Sequence, residues 1–356
     1  MMASLLTSLV LIAVISIQTI LGAPTKVEKP SSICNRIEEI NTTYPLTSPI
    51  KGADGSIEYR IALIADLDSD SKSSKEALTW ISYLKKGYLK FKKAGQKVEF
   101  KWDKGDDSRF TSNFAIKDRG LELSELVTFD GKLLTIDDKT GIIYVVENEN
   151  TLIPWVIVNE GNGRSVSGFK NEWATVKDSK LYVGTHGREL DTKNGVSNLA
   201  MWIKIINAEG SVKHVDWTDN YVKVRAAAGI KYPGYMTHEA AVWSDIHKKF
   251  FFLPRKASPE KYNYKDDEKK GTNYLISATA DFSDVKAVKI GEIVPSHGFA
   301  SFKFVPETND QVIAAIKSEE VGETTGTFIT AFNLEGKILY PETKVSDLKF
   351  EGFEFI

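Results

Sequence analysis

The sequence predicts an all-β fold, a five-bladed β-propeller, and three observations carry that prediction. Short apolar strands recur in a unit of roughly 60 residues: a first strand, a polar turn, a second strand with a charged end, then an outer hairpin. Four such units read complete. A fifth is split, its first strand at Glu351-Gly352-Phe353-Glu354-Phe355-Ile356 and its second at Tyr59-Arg60-Ile61-Ala62-Leu63-Ile64-Ala65. Pairing those two ends would close a ring, which radial repeats require. A β-sandwich with a second domain is the competing architecture for so many short strands.

The elements follow in chain order. The first 23 residues carry no charged side chain, Leu5 to Ile20 is nearly all apolar, and Leu21-Gly22-Ala23 precedes the polar Pro24-Thr25-Lys26. That pattern predicts a signal peptide over residues 1–23, cleaved near Gly22 or Ala23; an uncleaved anchor is the alternative, although the run is short for ~30 Å of hydrocarbon. Residues 24–56 read as an extended polar arm. It carries Cys34 and the sequon Asn41-Thr42-Thr43, an expected glycosylation site. The propeller is expected over 57–356.

Its outer hairpins are Trp80–Phe91 with Val98–Trp102, Ile142–Val146 with Trp155–Val158, Met201–Ile206 with Val212–Trp217, Leu275–Ala280 with Val285–Ile290, and Thr327–Phe332 with Lys337–Tyr340. Residues 74–84 also fit an amphipathic helix, with Ala77, Leu78, Ile81 and Leu84 at helical spacing. The strand reading is adopted because the first blade otherwise lacks its outer pair.

Inner strands of a propeller surround the axis, so equivalent residues converge. Aligning the turn lysines, Lys132 on Lys180, sets Ser124 opposite Glu172 and extends to Glu239, Ala300 and Glu351. Three converging carboxylates repel one another unless a cation sits among them, and an all-oxygen set suits Ca²⁺. Ala300 offers only its carbonyl, and Ser124 either its carbonyl or its hydroxyl. The bland reading is a set of solvated strand-end glutamates.

The second strands end in another convergent set: Asp66 and Asp68; Asp137 and Asp138; His186 and Arg188; Arg255 and Lys256; Lys317, Glu319 and Glu320. Acids and bases at one mouth suit a phosphorylated substrate, the bases neutralising phosphate oxygens and an aspartate orienting or deprotonating water. Arg119 would reach the same rim. Salt-bridged turn residues are the alternative. Other signals are weak: Asn159-Glu160-Gly161-Asn162-Gly163 reads as a turn, Asp66-Leu67-Asp68-Ser69-Asp70 lacks the glycine of an EF-hand loop, and His238 reads as a hydrogen-bonded structural histidine.

Composition narrows the class. Basic and acidic side chains number 46 and 48, too balanced for a nucleic-acid binder, and a lone cysteine excludes a disulfide framework or multi-cysteine zinc site.

Tyr59-Arg60-Ile61-Ala62 with Ile64-Ala65-Asp66-Leu67-Asp68, then Ser82-Tyr83-Leu84-Lys85-Lys86-Gly87-Tyr88-Leu89, resembles the calcium-activated nucleotidase family, which includes bed-bug-type salivary apyrases. The resemblance continues through Arg119-Gly120-Leu121-Glu122-Leu123-Ser124, Arg225-Ala226-Ala227-Ala228-Gly229-Ile230, Leu253-Pro254-Arg255, Lys265-Asp266-Asp267-Glu268, His297-Gly298-Phe299 and Glu351-Gly352-Phe353-Glu354-Phe355-Ile356. It implies a Ca²⁺-dependent hydrolysis of ATP and ADP, with calcium positions at Ser124, Glu172, Glu239, Ala300 and Glu351. The family commonly has serine at the place of Ala300, with Ser301 the fallback here. It implies substrate-site roles for Asp66, Asp68, Glu122, Asp138 and Arg255, with Arg119 a further phosphate contact; Lys317 is added from the strand-end pattern. A secreted, salivary, monomeric enzyme with no stable membrane insertion after cleavage is the expectation, its removal of ADP limiting platelet aggregation at a bite. A nucleotide-sequestering propeller without catalysis and a lumenal nucleotidase preferring UDP or GDP are the alternatives.

Overall fold

The computed structural model describes residues 40–356. The expected signal peptide, Cys34 and the first part of the arm lie outside the described residues.

Five four-stranded antiparallel arrays form the blades, and the element order makes this a five-bladed β-propeller. Blade 1 is built from Phe350–Phe355, Ser56–Ala65, Trp80–Lys92 and Lys97–Trp102. Blade 2 uses Leu123–Phe129, Lys132–Asp137, Ile142–Glu147 and Thr151–Ile157; blade 3 uses Trp173–Lys177, Lys180–Gly184, Trp202–Ile206 and Val212–Asp216. Blade 4 uses Gly234–Ser244, Lys249–Lys261, Tyr274–Thr279 and Val285–Lys289, and blade 5 His297–Phe304, Val312–Val321, Thr324–Asn333 and Ile338–Ser346. All five expected outer hairpins are present, and residue 80 begins a strand instead of continuing a helix. Blade 1 gains a short extra strand, Ser108–Ser112, on the first half of Trp80–Lys92, and Ile50–Lys51 pairs with Ile57 and Glu58.

Strand alternation explains how the ring packs. Successive side chains point to opposite faces of a strand, so Ile61, Leu63 and Ala65 enter the core shared with blade 5, while Ala62 and Ile64 enter the core shared with blade 2. Similar cores lie between blades 2 and 3, 3 and 4, and 4 and 5. Every blade is therefore a double-sided apolar layer, and none can bury both faces without two neighbours.

The two ends of the sequence close the ring as predicted, with Ile61, Leu63 and Ile64 opposite Phe355, Phe353 and Gly352. Gly352 permits the closest approach, since a Cβ there would lie 2.6 Å from the Glu125 carbonyl carbon and the Leu126 nitrogen. At the axial end where the hairpin turns sit, residues 40–49 run across the opening. Asn41 N donates to Asp130 Oδ1 at 3.0 Å and Tyr44 Oη to Glu354 Oε1 at 2.9 Å, over a 650 Å³ hollow.

Candidate active site at the axial mouth

At the opposite end the inner strands break register at one place after another. The ladder skips Ser124 between Leu123 and Glu125, Ala300 between Phe299 and Ser301, Glu239 and Ala240 between His238 and Ala241, and Glu351 between Phe350 and Gly352. Glu172 sits just ahead of its strand, its N–H bonded to Gly184 O at 2.8 Å. A β-bulge re-aims a residue out of the ladder, so the fold frees the equivalent position in four of the five blades. All five residues are buried.

The donor set is oxygen throughout, and Ser124 Oγ is buried with no hydrogen-bond partner. Burial pushes Glu172 up to about 7 and holds Glu239 and Glu351 above the ordinary carboxylate range, even with basic groups beside them. Crowded carboxylates, an unpartnered hydroxyl and carbonyls released by bulges form a chemistry that fits Ca²⁺.

Three bases reach into this ring. Arg255 Nη1 bridges Glu239 and Glu351, 2.7 Å from Glu351 Oε1, while its Nη2 lies 3.2 Å from Glu320. Lys170 lies 2.5 Å from Glu172 and 2.6 Å from Asp138. Lys349 lies 3.1 Å from Asp66 and 3.5 Å from Glu351 and pairs with Asp68. Burial lowers the proton affinity of all three, but the surrounding carboxylates hold them well above their ordinary values.

A second group of acids stands on the wall made by blades 1 and 2. Carboxylate oxygens of Asp66, Glu122 and Asp138 lie within 4.8 Å of one another. Arg119 grips Glu122 with two bonds, Nε at 2.7 Å and Nη2 at 2.5 Å, and lies 3.3 Å from Asp68. Burial and the charges of Asp66 and Asp138 push Glu122 up to about 7. The two neighbouring aspartates diverge. Burial raises Asp66, but Lys349 and the Asp68 N–H at 2.8 Å bring it below the usual range; burial and the charge of Asp66 raise Asp68. Asp68 also has a left-handed backbone, φ 47°, a conformation Asp tolerates better than most residues.

These groups enclose a 360 Å³ cavity at the mouth of the axis, lined by Asp66, Asp68, Asp138, Glu172, Glu239, Arg255 and Glu351 among others. Arg119 and Glu122 are not among its lining residues and meet it through their neighbours, Arg119 3.3 Å from Asp68 and Glu122 beside Asp66 and Asp138. Lys317 is not among its walls. Its ammonium lies over the Phe299 ring at 4.7 Å and 2.7 Å from Glu342 Oε2, because strand alternation turns it between blade strands and away from the axis. His238 is fully buried between Tyr221 and Phe252, and neither ring nitrogen has a hydrogen-bond partner among the described residues, unlike the structural hydrogen bond expected.

Sequence reasoning missed Lys170 and Lys349 as axial groups. A signal was present: each lies two residues before an axial glutamate, Glu172 or Glu351, as Glu122 lies two before Ser124. With a two-residue period, that register places a further layer of side chains toward the mouth.

Comparison with known proteins identifies a family. The family described as Apyrase matches residues 67–356. The chain is 50% identical over 323 residues to rat soluble calcium-activated nucleotidase 1, covering 90% of this chain and 79% of that one. It is 43% identical over 319 residues to the apyrase of the bed bug Cimex lectularius, covering 89% and 87%. It is 38% identical over 297 residues to the apyrase of Phlebotomus duboscqi, covering 83% and 87%. With its buried axial glutamates and its mixed acid–base mouth, the chain belongs to the apyrase family.

Proposed function

We propose that this chain is a secreted, calcium-dependent apyrase that hydrolyses ATP and ADP to the monophosphate and inorganic phosphate in the axial cavity. The observation carrying this reading is the convergence, in one cavity of an apyrase-family chain, of the three glutamates Glu172, Glu239 and Glu351 with buried bases and an acidic wall. Ser124, Glu172, Glu239, Ala300 and Glu351 would hold Ca²⁺, Ala300 through its carbonyl. When bound, the ion supplies positive charge that draws phosphate oxygens and fixes the carboxylates around them.

The chain's own residues do the rest. Arg255, permanently charged, faces the axis and would bind phosphoryl oxygens, and Arg119 would add charge from the rim. Asp68, whose proton affinity is raised, is placed to take the proton from water, while ionised Asp66 and Lys349 hold it in position. Environments that push two neighbouring carboxylates apart are the pattern of an assigned acid and base. The water oxygen bonds to the terminal phosphorus as the bridging P–O bond breaks, and the leaving phosphate keeps the electron pair. Glu122 and Asp138 shape the acidic wall.

The experiment is phosphate release from ADP and ATP in calcium, in magnesium and with a chelator. Release in calcium that stops with chelator is expected. No release in calcium overturns the enzyme, and equal rates in magnesium overturn the calcium ring. Secretion is supported by the apolar leader in the sequence, and amino-terminal sequencing of protein from the culture medium tests it, with residue 23 or 24 expected first. Such an enzyme would clear extracellular ADP, the agonist of platelet recruitment. Addition to platelet-rich plasma challenged with ADP is expected to block aggregation.

A further inference from the structure

We propose that Arg188 and Tyr262, on the rim of the axial cavity, form a stacking platform for the nucleobase, so that the site prefers nucleoside phosphates over phosphate chains lacking a base. The inference rests on the phosphohydrolase reading of the cavity. The cavity is chemically lopsided. Acids line it all round, among them Asp66, Asp68, Glu239 and Glu320, whereas its tyrosines, Tyr262 and Tyr264, are confined to one side, after the second strand of blade 4. Arg188 follows the second strand of blade 3 and lies with Cζ 3.6 Å from the centre of the Tyr262 ring.

Arg188 differs from the other bases of the cavity. Arg255, Lys139, Lys170 and Lys349 are each within 4.0 Å of a carboxylate, and Lys256 is held by the carbonyls of Asp267 and Glu268 at 3.0 Å. Among the described residues Arg188 forms no ion pair; its Nη1 donates only to Glu189 O at 3.2 Å. A planar cation laid on an aromatic ring and free of carboxylates presents a flat surface on which any base can stack.

The platform is braced from behind. Tyr235 meets Tyr262 edge-on at 5.1 Å and donates through Oη to Asp267 Oδ1 at 2.5 Å. The carbonyl bonds from Asp267 and Glu268 to Lys256 tie the same loop to the cavity floor. A base resting here would direct its phosphates across the opening toward Arg255 and the acidic wall. The 360 Å³ volume lies at the lower end of the range for small-molecule sites, ~300–1,000 Å³.

The test compares ADP with inorganic tripolyphosphate, a ligand with phosphates and no base. For the full chain in calcium, KM for ADP and the inhibition constant of tripolyphosphate are measured for wild type, Tyr262→Ala, Tyr262→Phe and Arg188→Ala. Tyr262→Ala and Arg188→Ala are expected to raise KM for ADP about tenfold, leave kcat and the tripolyphosphate constant unchanged, and Tyr262→Phe to resemble wild type. Equal weakening of ADP and tripolyphosphate would show that these residues serve phosphate and would overturn the platform, as would an unchanged KM for ADP. Binding of fluorescent etheno-ADP to the same variants separates the two readings. Wild type that binds etheno-ADP but releases no phosphate sinks the enzyme reading, while loss of that binding in Tyr262→Ala still supports the platform.

Discussion

The two ends of the propeller axis are built from the same inner strands and differ in how their buried polar groups are satisfied. Toward residues 40–49, Glu125 accepts from Ser301 Oγ at 2.8 Å, Leu126 N at 2.9 Å and Phe353 N at 3.3 Å, with Lys303 Nζ at 3.2 Å. Glu354 accepts from Thr128 N and Phe355 N, each at 2.9 Å, and from Tyr44. Every carboxylate there has local partners, and the bonds cross between blades 1, 2 and 5. Toward the mouth along the same strands, Ser124, Ala300 and Glu351 leave the ladder, and three glutamates share Arg255, from the second strand of blade 4, with Lys170 and Lys349. The lesson is that a single bulge separates a structural end from a reactive one. Satisfied networks lock geometry, whereas partly satisfied ones hold a place for a ligand.

Four experiments break or sharpen this contrast. Glu125→Ala, at the locked end, leaves Lys303 buried without its counter-ion and should cost about 3–5 kcal/mol in urea denaturation, with the rate per folded molecule intact. Loss of activity without loss of stability would erase the distinction. Glu351→Gln, at the open end, should do the reverse: calcium-activated phosphate release falls about 100-fold, and the denaturation midpoint stays close to wild type.

A third test concerns charge buried behind the open end. Asp137 accepts from Lys139 N at 2.8 Å, Thr140 N at 3.0 Å and Leu121 N at 2.9 Å, yet burial, with the charge of Asp138, pushes it up to about 6. A carboxyl raised in the fold contributes fully below its unfolded value and loses that contribution as pH rises through the folded one. The Asp137 contribution to wild-type stability should therefore be lost between pH 4 and 6, and Asp137→Asn should remove roughly 3 kcal/mol of that pH dependence. The smallest effect is expected from Tyr44→Phe, which removes one bond to Glu354 at the locked end. Its cost should be about 1 kcal/mol in the same denaturation assay, with KM and kcat unchanged.

What could be read in advance follows from periodicity. The repeat of strand, turn and strand located all blades, and aligning two turn lysines placed Ser124 opposite Glu172, because register within a repeat is preserved in three dimensions. Lys317 shows the limit of that logic. Strand ends were grouped as one rim, but alternation along Val312–Val321 sends Lys317 toward Phe299 and Glu342. Lys170 and Lys349 were missed for a different reason, although their spacing before Glu172 and Glu351 carried a signal. They precede their strands, and only the convergence of blades tells which charge they meet. Burial raises both Asp66 and Asp68, and it is Lys349 and the Asp68 N–H on one side and the charge of Asp66 on the other that make these two neighbours hold their protons so differently.

The closing strand has a consequence for biosynthesis. Glu351 lies on the strand that completes blade 1, so the axial ring and the fold are finished by the same residues, which emerge from the ribosome after every other blade. Until then Ser56–Ala65 offers an unpaired inner edge, a template for wrong pairing with another chain. A chain cut short before residue 350 would lose a glutamate of the ring and the seal of the propeller together. Catalytic competence would thereby report that the closing strand had been made and that the molecule had shut correctly.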